Sequence, residues 1–226
     1  MKKVLLLSII AACALIACKK DVDELLVERP FTRDFYIQGE WRDTLPSTFL
    51  PFDYTIGERV KEPLGNQYTC KSKTSLANNR KRIQGNLYGT SNTNELFFIR
   101  FSKPDTDSIW TASELKELFT PERVFPITGT PGEVEIGFEI PWVVNSYWVS
   151  ESWNAPNPNG SVKIIAAEDY EWEALNGLGN LVLHKGLKVK LQFQANLGRL
   201  GYTMLQLQVV GEAEIKNGEA SLFFEY

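Results

Sequence analysis

Apolar and polar residues alternate most cleanly between Leu187 and Leu197. Leu187, Val189, Leu191, Phe193, Ala195 and Leu197 share one parity, and Lys188, Lys190, Gln192, Gln194 and Asn196 share the other. Strand side chains point alternately to opposite faces, so this segment predicts an antiparallel strand with one face in a core and one in water. A second alternation changes parity at Asn217-Gly218, with Ala213 and Ile215 before it and Ala220, Leu222 and Phe224 after it. Asn-Gly is a strong signal for a type I′ turn, which predicts a hairpin. Its register sets Lys216 opposite Glu219, Ile215 opposite Ala220, Ala213 opposite Leu222, Gly211 opposite Phe224 and Val209 opposite Tyr226. A slip of one residue would turn Glu212 and Glu214 inward, so the pairing is well specified.

Rougher alternation predicts strands in 31–41, 83–89, 96–102, 134–140, 142–150, 161–172 and 181–184, with prolines at the breaks. His184-Lys185-Gly186 reads as a turn, and Gly85 and Gly89 beside Tyr88 suggest a bulge or a close backbone approach. One helix stands out. Thr111-Ala-Ser-Glu114 has the spacing of a capping box; Leu115, Leu118 and Phe119 then fall on one side and Pro121 stops the run. With no βαβ alternation, the pattern predicts an all-β fold, a two-layer antiparallel β-sandwich of about ten strands with one short helix, occupying residues 31–226 as one domain.

The N-terminus breaks this pattern. Lys2-Lys3 precede about 14 mostly apolar residues that end in Leu15-Ile16-Ala17-Cys18. Such a run is too short to cross a ~30 Å hydrocarbon core as a permanent helix, and it reads as a secretory signal covering residues 1–17. Its last four residues resemble the bacterial lipobox, which implies lipidation of Cys18. Residues 18–30 then form a charged tether, and the expected address is the outer membrane, lipid-anchored, at the cell surface or on the periplasmic face.

Removing the leader leaves 209 of the 226 residues and takes the formal charge from −4 to −6. An acidic domain is a poor match for nucleic acid. The one basic cluster, Lys71, Lys73, Arg80, Lys81 and Arg82, lies among Asn, Ser and Thr and reads as a solvated hairpin or loop. Of three cysteines, Cys13 leaves with the signal and Cys18 takes the lipid, so Cys70 has no partner for an intrachain disulfide and reads as a buried strand residue.

Catalytic signatures are sparse. With a single histidine, His184, sites built on two or three imidazoles are excluded. The chain contains no nucleophile elbow, phosphate-binding loop or dinucleotide fingerprint, so no cofactor is expected. Asp169, Glu171 and Glu173 share one face of a predicted strand, with Glu168 beside them, and two carboxylates flanking a cleft suffice for a glycosidase; as a row on a wet face they read as solvated charge. Asp105-Thr-Asp107-Ser could open a calcium loop but lacks the later Gly and Glu, so no metal is expected. Trp142, Tyr147, Trp148, Trp153, Tyr170 and Trp172 crowd into a short stretch. Most would fill a core. Trp153, with Trp148, Tyr147 and Trp142, forms the candidate ligand-binding set, since exposed rings stack on sugars.

The pieces Glu114–Phe119, Gly132-Glu-Val-Glu-Ile-Gly137, Tyr147-Trp-Val-Ser150 and Ile215-Lys-Asn-Gly218 through Tyr226 resemble a group of small Bacteroidetes-type surface lipoproteins of uncharacterised function. The resemblance covers about residues 112–226 and implies a β-sandwich outside the cytoplasm. Lys19-Lys20-Asp21-Val22-Asp23-Glu24 resembles the surface-export signal of that group. Asp43-Thr44-Leu45 and Asp107-Ser108-Ile109 resemble its O-glycosylation tripeptides. The expected function is that of a non-catalytic binding or accessory module, held to the membrane by its lipid, for glycan or for an envelope protein. The competing expectations are a carboxylate-dependent glycan hydrolase and a structural component of an envelope assembly.

Overall fold

Eleven strands and one helix follow in the order β1 (Tyr36–Asp43), β2 (Leu50–Thr55), β3 (Thr69–Ala77), β4 (Arg80–Tyr88), β5 (Glu95–Pro104), α1 (Ala112–Leu118), β6 (Val124–Pro126), β7 (Val134–Glu139), β8 (Tyr147–Val149), β9 (Gly160–Leu175), β10 (Leu181–Thr203) and β11 (Gln206–Glu225). The computed structural model describes residues 35–43, 49–55, 69–88, 95–128, 133–139, 147–150, 159–175, 180–203 and 206–226, within the compact unit Thr32–Tyr226. The signal, Cys18 and the tether lie outside the described residues. No described helix is long and apolar enough to cross a membrane.

The strands make two antiparallel layers of six and four, an all-β sandwich. The larger layer runs β2-β1-β11-β10-β9-β6 and the smaller runs β7-β5-β4-β3. Short β8 pairs with β7 on one side and, through Trp148 and Val149, with Arg199 and Gly198 of β10 on the other. The hydrogen-bonded ladder therefore passes unbroken from one layer to the other, so the sandwich is one sheet folded over on itself.

Alternation builds the space between the layers. The apolar set of β10 is buried throughout, with Leu187 and Leu197 each 1% exposed, and the polar set faces outward. From the smaller layer, Ile83 and Leu87 of β4, Phe97, Ile99 and Phe101 of β5, and Val134, Ile136 and Phe138 of β7 meet it. Phe97 stacks on Phe193 with centroids 5.3 Å apart. At the other end of the core Phe101 lies edge-on to Phe119 and Phe125 at 5.0 Å and to Phe224 at 5.8 Å. Such edge-to-face pairs add to area burial by matching ring edge to ring face. On the outer face of the smaller layer, Gln84 and Asn86 are buried but bonded to each other, and Arg100 reaches Gln84 at 2.8 Å and Glu135 at 2.9 Å.

Three local expectations hold. Cys70 is buried, and burial pushes its thiol up to about 12, so it is a protonated core group at neutral pH; its sulfur accepts from Phe223 N at 3.3 Å. The helix forms where the capping box placed it, and Leu115, Leu118 and Phe119 are buried. Gly85 is a close approach, because a Cβ there would stand 2.8 Å from Phe224 Cζ.

Two expectations are corrected. Asn217-Gly218 is not a hairpin turn. Residues 206–225 form one strand, and a β-bulge falls where β10 pairs Phe193 with Gly218 and then Ala195 with Ile215. A type I′ turn needs positive φ at both central residues, but here only Asn217 has it, at 50°. Gly218 is required for space, since a Cβ would stand 2.5 Å from the Phe193 ring. The extra residue restores the inward parity, which is why a bulge and a turn leave the same trace in sequence. Phe224 accordingly covers Gly85 and not Gly211. The I′ turn is found between β3 and β4, at Asn78 and Asn79, both with φ of 54°. His184-Lys185-Gly186 is likewise no turn: it lies inside β10, paired with Trp172, Glu171 and Tyr170 of β9, and His184 Nδ1 is 2.8 Å from Glu225 Oε1.

Candidate functional site

Parity along β4 sets the site. Lys81 shares the inward side of Ile83, Gly85 and Leu87, so its stem enters the sandwich end. The lysine is 2% exposed, which corrects its place in the solvated basic cluster; Lys71 and Lys73 of that cluster are exposed. A buried ammonium needs paired oxygens. The chain after β5 supplies them: Lys81 Nζ lies 2.7 Å from Glu114 Oε1, 2.9 Å from Asp105 Oδ2, 3.0 Å from Ile109 O and 3.7 Å from Asp107 Oδ1. The loop considered for calcium thus receives its positive charge from a side chain. Among the described residues no cluster of His, Cys, Asp and Glu fits a metal ion.

Glu114 ties this loop to the helix and to β5. Its Oε1 also takes Lys103 Nζ at 2.7 Å, and its Oε2 accepts Thr111 N at 3.0 Å, while Thr111 Oγ1 accepts Glu114 N at 3.2 Å. Hydrogen bonds from Lys103, then Lys81, then the Thr111 backbone hold the Glu114 carboxyl far below the usual carboxylate range. For Lys81, burial opposes the charged form, but Glu114 and Asp105 more than offset it and its ammonium stays charged above the ordinary lysine value. Both ammonium groups lie over the Trp110 ring, Lys81 at 5.0 Å and Lys103 at 5.2 Å. Trp110 is 3% exposed, and its Nε1 has no hydrogen-bond partner among the described residues.

Beside this corner opens a cleft of about 100 Å³. Ser102 and Lys103 of β5, Trp110, Glu114, Glu117 and Leu118 of the helical segment, Arg123 and Phe125 at β6, and Glu133 before β7 line it. Arg123 lies with its guanidinium 4.7 Å over the Phe125 ring and donates from one terminal nitrogen to Glu117 O at 3.2 Å. Lys103 is committed to Glu114, whereas the carboxylates of Glu117 and Glu133 and the charge of Arg123 enter no ion pair among the described residues. The cleft therefore presents acceptors and a cationic donor together. Ligand pockets for drug-sized molecules run to ~300 Å³ and more, so this one suits a small group or the edge of one ring.

The sequence-predicted ligand set is not brought together by anything described. Trp142 and Trp153 lie outside the described residues, and Tyr147 and Trp148 are placed only by their backbone, in β8. Tyr170 belongs to the core edge, 5.3 Å from Phe35 and 6.2 Å from Phe223. The acids of β9 carry lysines: Glu168 with Lys188 at 2.5 Å on the outer face, and Asp169 with Lys116 at 2.8 Å and Glu171 with Lys185 at 2.8 Å at the exposed rim on the side of Leu187. Asp107-Ser108-Ile109 sits in the loop before α1, with Ile109 71% exposed and Ile109 N bonded to Asp107 Oδ1 at 3.0 Å. Sequence reasoning missed Lys81, Trp110, Glu117, Arg123 and Glu133. Only Lys81 left a readable trace, its inward parity in β4. The others lie within residues 110–133 but in the helical segment, at β6 and before β7, which residue order does not bring together.

Comparison with family models, with curated proteins and with solved structures gave no match.

Proposed function

We propose that the chain is an extracytoplasmic lipoprotein, fastened through Cys18, whose β-sandwich serves as a non-catalytic binding module. The leader and its Leu-Ile-Ala-Cys end support the address. The observation that carries the binding reading is the cleft beside α1, where Glu117, Glu133 and Arg123 stand without charge partners among the described residues. The β9 acids support the non-catalytic part, since Glu168, Asp169 and Glu171 each ion-pair with a lysine at 2.8 Å or less, as solvated surface charge does. The test pairs mass spectrometry of the N-terminal peptide with a glycan array probed by the full chain. Acyl chains on Cys18, lost in Cys18→Ser, together with saturable array binding, support the reading. An unmodified thiol with the leader attached removes the address, and an empty array removes glycan as the ligand.

A second reading has its own observation: Glu114, Glu117 and Glu133 share one cleft. Glu114 is held ionised and cannot act as a general acid near neutral pH, so a glycan hydrolase here would run on Glu117 and Glu133. Release of reducing sugar by the native chain, abolished in Glu117→Gln, would establish that reading in place of the first.

A further inference from the structure

We infer that the tip of the β9–β10 hairpin is a membrane contact, dipping into the headgroup region of the leaflet that holds the acyl chains of Cys18; this rests on the lipid-anchor part of the proposed function. The hairpin outruns the sandwich. The β10–β11 ladder starts at Gly186 opposite Glu225, and the buried face of β10 starts at Leu187, 1% exposed. β10 itself begins at Leu181 and pairs with β9 as far as Leu175. Residues 172–175 and 181–184 therefore form a two-stranded ribbon beyond the core, with no third strand beside it among the described residues.

The ribbon is apolar at its end and charged at its base. The rows Ala174–Val182 and Leu175–Leu181 lie outermost, Glu173 stands opposite Leu183, and behind them come the pairs Glu171–Lys185 and His184–Glu225. Val182 is 36% exposed and Leu183 47%, and adjacent strand residues point to opposite faces, so apolar surface is open on both sides of the ribbon. A protein groove covers one face of a hairpin, whereas a lipid interface surrounds its tip. From the Leu183 row to the Leu181 row is about 7 Å at ~3.4 Å per residue, inside the ~5–10 Å that interfacial elements reach. Unpaired backbone along the free edge of the ribbon bars deeper entry, since hydrocarbon leaves such groups without partners.

The position of the tether decides which surface meets this tip. The described residues begin at Phe35, whose ring lies 5.3 Å from that of Tyr170, and Tyr170 pairs with Gly186 at the base of the ribbon. Residues 19–34, sixteen in all, separate Cys18 from Phe35. Their reach is at most about 55 Å. The tether thus joins the domain at the end from which the ribbon projects, and lipid stands at high effective concentration beside a tip that binds weakly by itself.

The test uses the full chain carrying its acyl groups, reconstituted in vesicles of phosphatidylethanolamine with a minor share of phosphatidylglycerol. An environment-sensitive fluorophore is placed at Val182→Cys or, as the control, at Leu50→Cys, which is 44% exposed and lies opposite Trp41, toward the far end of β1 from Phe35. Cys18 is taken by lipid and Cys70 is buried, so neither competes for the label. Flotation with the vesicles reports the anchor, and a lipid nitroxide just below the headgroup reports the tip. The nitroxide should quench the Val182 probe at least about twofold more than the Leu50 probe, and Leu183→Asp should abolish the difference. Leu183 is exposed, so this variant keeps the core. A chain that floats with both probes quenched alike overturns the inference and leaves the anchor standing; if the Val182 probe is then blue-shifted and the shift is lost on dilution, the tip belongs to a second copy of the chain. Quenching that survives Leu183→Asp overturns the inference too, since the fluorophore and not the tip is then the inserting group. A chain that does not float removes the anchor and the inference together.

Discussion

On the exposed rim of β9 and β10, just beyond the core, Lys185 meets Glu171 at 2.8 Å with both side chains about half exposed, at 52% and 53%. At the sandwich end Lys81 meets Glu114 at 2.7 Å, and the lysine side chain is 3% exposed. Distance does not separate these two pairs. Environment does: water screens and competes for the first, while the second is held away from water with Asp105 and Ile109 O completing its shell. Charge at the rim keeps that end of the sheet wet. At the corner it fixes the loop and helix that wall the cleft, and losing one partner there strands the other in a medium that does not solvate it.

The sharpest way to break this comparison is to remove the buried ammonium. Lys81→Ala should cost about 3–5 kcal/mol, because Asp105 and Ile109 O then lose the buried ammonium they share and Glu114 keeps only Lys103 as a cation. Urea unfolding followed by circular dichroism reads it directly. A loss below about 1 kcal/mol would place the corner in the same class as the exposed rim.

The next effect is a pH dependence. Glu114 has its folded carboxyl held well below its unfolded value, so its stabilisation is fully present above the ordinary carboxylate pKa of ~4.3 and is lost as pH falls below that toward the folded value. Unfolding midpoints recorded from neutral pH down to strongly acid conditions should fall less steeply in Glu114→Gln than in the native chain. Parallel slopes for the two would mean that Glu114 is not held by the lysines.

A smaller change tests the helix entry. Thr111→Ala removes the oxygen that accepts Glu114 N and should cost about 1 kcal/mol, with most of it restored in Thr111→Ser. Smallest of all is Lys185→Ala on the exposed rim, for which thermal unfolding should show no resolvable change in midpoint. A clear drop there would erase the contrast between the two regions.

Much of the fold was readable from residue order because its signals are local or strictly periodic. The β10 face from Leu187 to Leu197, the box from Thr111 to Glu114, and the burial of Cys70 each rest on spacing that a strand or a helix converts into geometry whatever lies around it. Asn217-Gly218 shows the limit. A left-handed φ and a change of parity are common to a turn and a bulge, and the choice falls to the neighbours, β10 and β1, which pair with both halves of β11. The candidate site was hardly readable. Its aromatic is Trp110, outside the cluster that composition draws attention to, and its acids come from a helix and a separate loop.

The residues in order therefore settled which positions face inward, where the helix begins and how the inner face is kept across a bulge, since neighbours along the chain decide those things through backbone period and steric fit. Folding the sheet over decided what residue order could not: that Lys81 would lose its water, that Trp110 would keep an unanswered N–H, and that Glu117, Arg123 and Glu133 would share one cleft. Burial and convergence belong to contacts between elements of different layers, near or far in the chain, and those exist only once the two layers have closed on each other.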